Sequence, residues 1–211
     1  MKIIAHRGFW LDPSEKNTSI AFVRALENGF GIETDFRDLN GDLVVSHDLP
    51  GDDVMPISEL VHLFKSTCND GLMALNIKAD GLQLLVKKMV ECSGMKNYFA
   101  FDMSVPDMRG YFSEGIPTFT RLSEYEQTPS FLDLSIGVWL DAFESQWYDI
   151  ELINHLIKKN KQIAIVSSEL HGRPHHNLWS FLKANQLHQN SLVSICTDFP
   201  LNAKEYFNVE N

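Results

Sequence analysis

The chain has 211 residues, of which 44% are hydrophobic and 22% are charged, and its formal net charge is −10. This composition is typical of a soluble globular protein, and no apolar run approaches the ~20 residues that cross a bilayer. The negative charge argues against broad nucleic-acid binding and against docking on anionic membranes. It does not exclude a small phosphorylated substrate, because a bound cation can reverse the local field.

The N-terminus and the cysteines favour a cytoplasmic protein. The opening apolar stretch, residues 2–5, is too short for a secretory signal, since polar residues begin at His6. The three cysteines, Cys68, Cys92 and Cys196, are odd in number, widely separated and without a CxxC spacing. We therefore expect buried, reduced cysteines in a reducing compartment, with no disulfide framework and no structural zinc site.

Short apolar segments alternate with helical patterns along the chain. The predicted strands are mostly apolar throughout, as expected for parallel strands buried on both faces: 2–5, 31–35, 43–47, 72–78, 98–102, 116–120, 136–141, 162–167 and 192–197. The predicted helices lie between them, at 17–28, 57–65, 81–92, 105–112, 149–160 and 177–185. About eight such units predict an α/β fold of the TIM (β/α)₈ barrel type, compact and with some helices reduced or missing. We expect one domain covering residues 1–211.

Polar side chains stand at the ends of the early strands, where barrels of this type place their active sites. The strand ends read His6-Arg7-Gly8, Glu33-x-Asp35-x-Arg37, Ser46-His47-Asp48 and Asn76-x-Lys78-x-Asp80. Because strand side chains alternate, Glu33 and Asp35 share one face and can hold one hard cation, Mg²⁺ or Ca²⁺. Without a cation the two carboxylates would repel and one would tend to protonate. A pairing with Arg7, Arg37 or Lys78 is the structural alternative.

Two histidines accompany the acidic pair. His6 and His47 can each carry a proton near neutral pH. Arg7 offers a planar fork suited to phosphate oxygens. Gly8 permits a close backbone approach or an unusual turn. Together these residues predict a site for acid–base chemistry on a phosphorylated substrate.

Several of these motifs, in this order, resemble the glycerophosphodiester phosphodiesterase family. The matching elements are His6-Arg7-Gly8, Asn17-Thr18, Glu33-x-Asp35, His47-Asp48 and, near the end, Thr197-Asp198-Phe199-Pro200. The resemblance implies a TIM barrel that hydrolyses glycerophosphodiesters with a divalent metal. It implies His6 and His47 as the acid–base pair and Glu33 and Asp35 as metal ligands. It also implies that Arg7 holds the phosphate and that Lys78 offsets charge on the phosphoryl group.

Three features depart from the family pattern. Lys16 occupies the place of a glutamate, unless a local insertion shifts Glu15 into it. Asn76 occupies the place of the third metal ligand, also a glutamate, and a neutral amide contributes no charge. Other acidic residues near predicted strand ends could replace that ligand: Asp80, Asp102, Asp141 or Glu169. Finally, only 30 residues lie between His47 and Lys78, where the family carries a longer segment that helps to shape the substrate site.

Further candidates for substrate contact lie outside these motifs. Arg173 or His171, in the polar stretch 167–173, could grip an anionic substrate, and a solvated loop is the alternative. Trp10 could line the pocket, with core packing as the alternative.

The function indicated by the sequence is metal-dependent hydrolysis of a small glycerophosphodiester-like substrate. One alternative is a phosphodiesterase that acts on a sugar- or nucleotide-linked diester. The other is a phosphate-binding barrel that has lost efficient metal chemistry. We expect no nucleic-acid partner and no stable membrane insertion, and the sequence leaves the oligomeric state open.

Overall fold

A computed structural model describes residues 1–51, 53–67 and 71–208. The chain has the predicted α/β architecture and forms two compact units. The N-terminal unit is Ala5–Thr118, and the C-terminal unit combines Met1–Ile4 with Phe119–Asn211. None of the helices in the described ranges is long and apolar enough to cross a bilayer.

The N-terminal unit contains the early strands and four helices. Its elements are the end of β1 (Lys2–His6), α1 (Ser19–Glu27), β2 (Gly31–Leu39), β3 (Asp42–Val45), β4 (Met55–Pro56), α2 (Ile57–Thr67), β5 (Met73–Ile77), α3 (Gln83–Ser93), β6 (Tyr98–Phe101) and α4 (Val105–Ser113). Strand β2 lies at the centre, parallel to β5 and antiparallel to β3. β5 pairs in parallel with β6, and β3 pairs antiparallel with β4.

A tight hairpin brings the segment after β3 back to β2. Asn40 and Gly41 both have positive φ, +53° and +89°, as the two central residues of a type I′ turn require. The backbone N–H of Ser46 then donates to the carbonyl of Asp35 (3.0 Å), so that His47 follows directly beside β2.

Gly8 fixes the turn after β1. Its φ is +88°, and a Cβ atom there would lie 2.8 Å from the Cβ of Ala21 and 2.9 Å from the Phe22 ring in α1. Only glycine fits this close approach without displacing the helix. Arg7 also has positive φ, +58°. The His-Arg-Gly sequence therefore encodes a sharp turn that is held against α1.

The C-terminal unit contains the later strands. Its elements are the start of β1, β7 (Phe119–Leu122), β8 (Gly137–Leu140), α5 (Ile150–Lys158), β9 (Gln162–Val166), α6 (His176–Ala184), β10 (Val193–Thr197) and α7 (Pro200–Phe207). Strands β7, β8, β9 and β10 lie side by side in that order, all parallel. The Asp149 side chain caps α5 by accepting from the N–H of Leu152 (2.9 Å).

Most predicted elements are confirmed, and the exceptions have local causes. The strand predicted at 116–120 begins only at Phe119, because the N–H of Ile116 closes α4 by donating to the carbonyl of Tyr111 (3.0 Å). The described residues between β7 and β8 contain no helix, as the prediction of reduced helices anticipates. Among the strands and α-helices of the described residues, the two-residue strand β4 and helix α7, which starts at Pro200, were not predicted.

The cysteines follow the sequence expectation only in part. Cys196 is buried in β10, as predicted. The prediction was wrong for Cys92, which is exposed because it lies on the outward face of α3. Cys68 lies outside the described residues.

Candidate active site

The acidic pair lies in the interior of the N-terminal unit. Glu33 and Asp35 are each only 1% exposed, and both project from β2. Asn76 of β5 is the direct register partner of Asp35, and its amide Nδ2 donates to Glu33 Oε1 (3.0 Å). The amide oxygen of Asn76 is buried and has no hydrogen-bond partner among the described residues. Three oxygen-bearing side chains are thus gathered on two adjacent strands.

Burial and mutual repulsion change the protonation of this pair. Desolvation, followed by the negative charge of Asp35, raises the pKa of Glu33 to about 7. His6, the Asn76 hydrogen bond and Lys78 act in the opposite direction. The sequence predicts that one of two carboxylates without a shared cation would tend to protonate, and the raised pKa of Glu33 agrees with this in direction.

Arg7 contacts both carboxylates, one through its backbone N–H and the other through its side chain. Its backbone N–H donates to Glu33 Oε2 (3.2 Å), and its side-chain Nε lies 3.2 Å from Asp35 Oδ2. The imidazole of His6 lies on the same side, with Nε2 3.9 Å from Glu33 Oε2. The positive φ of Arg7 lets the backbone and the side chain reach the two acids together.

Lys78 also faces the acidic pair. Its Nζ lies 3.4 Å from Asp35 Oδ1 and 4.0 Å from Asp102 Oδ2. The lysine therefore neutralises carboxylates in this structure, which is the pairing named above as the structural alternative. Asp102 belongs to the same cluster, whereas Asp80 is exposed and accepts from the hydroxyl of Ser104 (3.0 Å).

Asn17 is a site residue that sequence reasoning missed. Its Nδ2 donates to Asp35 Oδ2 (2.9 Å), and its Oδ1 accepts from the hydroxyl of Thr34 (2.9 Å). Its backbone N–H donates to the carbonyl of Arg7 (2.9 Å). The sequence predicts Asn17 or Thr18 as the cap of the first helix, and Thr18 takes that position. The only signal was its place in the Asn-Thr motif shared with the family.

A cavity of about 550 Å³ opens beside Arg7. Its walls combine hydroxyl, carboxylate and cationic side chains: Arg7, Ser14, Lys16, Asn17, Thr18, Ser19, Ser46, His47, Asp48, Asp53 and Glu59, with Val45, Val54, Met55 and Pro56. Arg7 and Asn17 thus touch both the acidic pair and the cavity. The short segment after His47 supplies one wall, although it is shorter than in the family.

His47 lies in this cavity with a carboxylate partner. Its Nδ1 lies 2.9 Å from Asp48 Oδ1, and its carbonyl accepts from Nε of Arg37 (3.0 Å). The hydrogen bond with His47, helped by the charges of His47, Arg7 and Arg37, lowers the pKa of Asp48. Arg37 is therefore used to hold the His47 backbone and makes no ion pair with Glu33 or Asp35 among the described residues.

The donor set of the acidic pair fits a hard cation. Glu33, Asp35 and the unpartnered Asn76 oxygen offer the carboxylate and amide oxygens that Mg²⁺ and Ca²⁺ prefer. In the described ranges no group of three or more His, Cys, Asp or Glu side chains is arranged to hold a metal. A cation held by Glu33 and Asp35 would therefore take its third protein oxygen from a neutral amide, with less negative charge around it than in a three-carboxylate site.

The candidates in the C-terminal unit are engaged by other partners. Glu169 accepts from the hydroxyls of Ser167 (2.5 Å) and Thr197 and from the N–H of Asp198 (3.2 Å). Asp141 pairs with Arg121 Nη1 (3.1 Å) and His171 Nε2 (2.6 Å). Glu169 is thus satisfied by hydrogen bonds, whereas the amide oxygen of Asn76 has no hydrogen-bond partner among the described residues.

The two remaining substrate-binding candidates make structural contacts. Arg173 donates through Nη2 to the carbonyl of Ala142 in the C-terminal unit. The indole N–H of Trp10 donates to the carbonyl of His6 (3.1 Å). A contact of either residue with substrate stays a prediction.

Solved structures of other proteins share the fold that carries this site. No family model matches the sequence, and no curated protein matches it. Among solved structures, the chain is similar to a protein from Galdieria sulphuraria assigned to the glycerophosphodiester phosphodiesterases, with 18% identity and a TM-score of 0.77 over 99% of this chain and 98% of that one. The chain has the glycerophosphodiester phosphodiesterase fold.

Two further members of that fold match nearly as fully. The glycerophosphodiester phosphodiesterase of Agrobacterium tumefaciens shares 18% identity, with a TM-score of 0.69 over 99% of this chain and 100% of that one. The enzyme of Thermotoga maritima shares 21% identity, with a TM-score of 0.65 over 96% and 97%. The predicted α/β class, with its (β/α)₈-type topology, is thereby confirmed.

Proposed function

We propose that this protein hydrolyses phosphodiesters with a divalent metal held by Glu33, Asp35 and Asn76. The proposal rests on Arg7, which contacts the acidic pair and the cavity at the same time. The residue binds both buried carboxylates and also lines the cavity that contains His47. In this proposal the cation site and a phosphate-binding fork meet at one wall of the cavity. The shared fold supports this assignment.

The two histidines supply the proton transfers in this proposal. If Nδ1 of His47 donates to Asp48, then Nε2 is left able to accept a proton from the nucleophile. Nε2 of His6 lies 3.9 Å from Oε2 of Glu33, beside the proposed cation site. We assign His6 as the acid that would protonate the leaving alkoxide, while the arginine fork would stabilise charge on the phosphoryl oxygens.

The metal would be Mg²⁺ or Ca²⁺, and it would supply charge stabilisation and acidify a bound hydroxyl or water. The chain's own residues prepare the site for it. Asn17 fixes one oxygen of Asp35, and the Asn76 amide fixes one oxygen of Glu33. Both carboxylates are thereby oriented before a cation arrives.

The substrate that fits is a small, water-soluble diester. The cavity wall is rich in hydroxyl and charged groups, which suits a glycerol-like or sugar-like head group better than a lipid chain. Nucleic acids are poor candidates because the chain carries a net charge of −10. We further propose a cytoplasmic location, where the three cysteines would stay reduced.

A direct assay tests the proposed function. Purified protein is incubated with a panel of glycerol-, sugar- and nucleotide-linked diesters in Mg²⁺ or Ca²⁺, with EDTA as the control. We expect release of an alcohol from at least one diester, abolished by EDTA and reduced by Asp35→Asn. The proposal fails if no diester is cleaved, or if cleavage is indifferent to both EDTA and Asp35→Asn.

One observation favours a second candidate, a phosphate-binding barrel without efficient hydrolysis. Asp35 is already neutralised by Arg7 and Lys78, and Glu33 by its raised pKa. The acidic pair can therefore remain buried with no cation present. Calorimetric titration with Mg²⁺, Ca²⁺ and Mn²⁺ separates the candidates, since a site that has lost its metal shows no saturable binding.

A further inference from the structure

Lys16 is a cation of the cavity wall that the sequence resemblance does not assign to any role. It follows a short 3₁₀ turn, Pro13–Glu15, and lines the cavity together with Arg7. Its side chain is half-buried. At this position the resemblance leads to the expectation of a glutamate, so the cavity carries a positive charge in place of a negative one.

The cations near the site differ in how far carboxylates neutralise them. Arg7 is paired with Asp35, and Lys78 lies between Asp35 and Asp102. Lys16 forms no ion pair within 4.0 Å of any carboxylate in the described part of the chain. Its charge is therefore the one on this wall that is most available to an incoming anion.

An aromatic ring positions the Lys16 ammonium. Its Nζ lies 4.5 Å from the centroid of the Trp10 ring, a favourable cation–π distance. The Trp10 ring is itself anchored by the hydrogen bond from its indole N–H to the carbonyl of His6. A cation–π contact restrains the lysine without removing its charge, because the ring carries no net charge.

The neighbouring Glu15 does not compete for this ammonium. Its carboxylate pairs with Arg24 (2.7 Å) and accepts from the N–H of Leu11 (2.8 Å). The other carboxylates of the cavity wall, Asp48, Asp53 and Glu59, would repel an anion. A phosphate that enters the cavity therefore needs a cation besides Arg7, and Lys16 lies where it can supply one.

We propose that Lys16 is a second phosphate-binding cation of this cavity, and that it takes over the charge-offsetting role that the resemblance gives to Lys78. The inference deepens the proposed function, because the phosphoryl group it binds is that of the diester. The two claims still fail separately, since phosphate binding can be measured without turnover.

The test measures the affinity of sn-glycerol 3-phosphate and of inorganic phosphate by calorimetry, in Mg²⁺ and in EDTA. Lys16→Gln removes the charge, Lys16→Met removes it and keeps an unbranched stem, and Lys16→Arg keeps it. Lys96→Gln is the matched control, because it removes one exposed lysine charge of the same unit away from the cavity. Thermal melting checks that each variant is folded.

We expect Lys16→Gln and Lys16→Met to weaken binding by about tenfold, the scale of one charge-assisted hydrogen bond. Lys16→Arg should stay within about threefold of the parent, and Lys96→Gln should match it. The proposal is overturned if the parent binds neither probe, if the neutral variants bind as tightly, or if Lys96→Gln has the same effect. Tight phosphate binding without diester cleavage would support the role proposed for Lys16 and would overturn the proposed function instead.

Discussion

The guanidinium of Arg7 lies 3.2 Å, measured from Nε to Oδ2, from a carboxylate of Asp35 that is 1% exposed. A buried carboxylate needs partners of this kind, because an unpaired buried charge costs several kcal/mol. Asp35 has three such partners: Arg7, Lys78 and the amide of Asn17. These contacts surround Asp35 with two cations and an amide donor, while burial raises the pKa of the neighbouring Glu33 to about 7.

The turn at Gly8 provides a test of how the arginine is positioned. Gly8→Ala would place a Cβ 2.8 Å from Ala21 Cβ, whereas the Cβ of Gly41→Ala would have no atom within 4 Å. The two glycines share almost the same φ, +88° and +89°, so backbone strain should be similar. We expect Gly8→Ala to reduce the free energy of unfolding by about 1–3 kcal/mol more than Gly41→Ala does, from overpacking.

Urea denaturation of both variants measures this difference, and phosphate binding measures its effect on the site. Equal destabilisation by the two substitutions would show that the contact with α1 does not hold the turn.

Asn17 gives a second prediction, because its amide faces Asp35. Asn17→Asp keeps a residue type that tolerates the φ of +59° and replaces the Nδ2 donor with an oxygen. We expect the free energy of unfolding to fall by about 1–3 kcal/mol, since Asp35 loses a hydrogen bond and faces a like charge.

The matched control for that change is Asn160→Asp. Asn160 has a similar φ, +55°, and is exposed, so denaturation should show little change. A similar loss in both variants would contradict the role given to the Asn17 amide.

The third metal ligand can be tested by restoring the charge that the sequence lacks. Asn76→Asp should tighten the binding of Mg²⁺ or Ca²⁺ by about tenfold or more, because ligand charge raises affinity for hard cations. The same change should lower the melting temperature of the metal-free protein, since it removes the hydrogen bond to Glu33 and adds repulsion. Calorimetry and thermal melting measure the two effects.

Glu169→Gln is the comparison for that experiment, because Glu169 is one of the two alternative ligands that lie in the C-terminal unit, the other being Asp141. Its carboxylate is held by Ser167 and Thr197, so its replacement should leave metal affinity unchanged. If Glu169→Gln lost metal binding and Asn76→Asp gained no metal affinity, Glu169 would be the third metal ligand in place of Asn76.

The raised pKa of Glu33 predicts a pH dependence with a definite sign. Its pKa rises from 4.5 to about 7 on folding, mainly because burial disfavours the charged form. The contribution of Glu33 to stability is therefore fully present below pH ~4.5 and is lost as the pH rises through about 7. A metal must displace the proton, so metal affinity should increase from pH 6 to pH 8.

Melting temperatures of the parent and of Glu33→Gln, each with and without metal, measure this dependence. Without metal, the stability of the parent relative to Glu33→Gln should fall between pH 6 and pH 8. With metal, the parent alone should gain stability over that range. A metal affinity that is flat from pH 6 to pH 8 would mean that Glu33 is not a ligand.

The parts of the site that depend on strand geometry could be predicted from the sequence. Alternation along β2 was sufficient to place Glu33 and Asp35 on one face. In the structure, the Asn40-Gly41 hairpin then brings Ser46, which precedes His47, against Asp35. The sequence could not predict which polar side chains would pair with one another. Whether Lys78 contacts phosphate or Asp35 depends on side-chain distances that no spacing encodes.

The features that were not predicted lie where the hydrophobic periodicity is weak or absent. Helix α7 begins at Pro200, directly after the strand-end motif, and its weak apolar pattern gave no helical signal. Asn17 and Lys16 lie in an irregular segment, where neither period 3.6 nor period 2 relates a residue to its neighbours in space. Their roles emerge only from the turn that Gly8 and the positive φ of Arg7 create.

The most direct test of the central claim is the rate of diester cleavage in three histidine variants under metal-saturated, single-turnover conditions. His6→Ala and His47→Ala should each lose about 10²–10⁴ in rate, the usual scale for general acid–base groups. His62→Ala, at an exposed position on α2, should match the parent. Full activity in both His6→Ala and His47→Ala, or turnover that survives EDTA, would contradict the account.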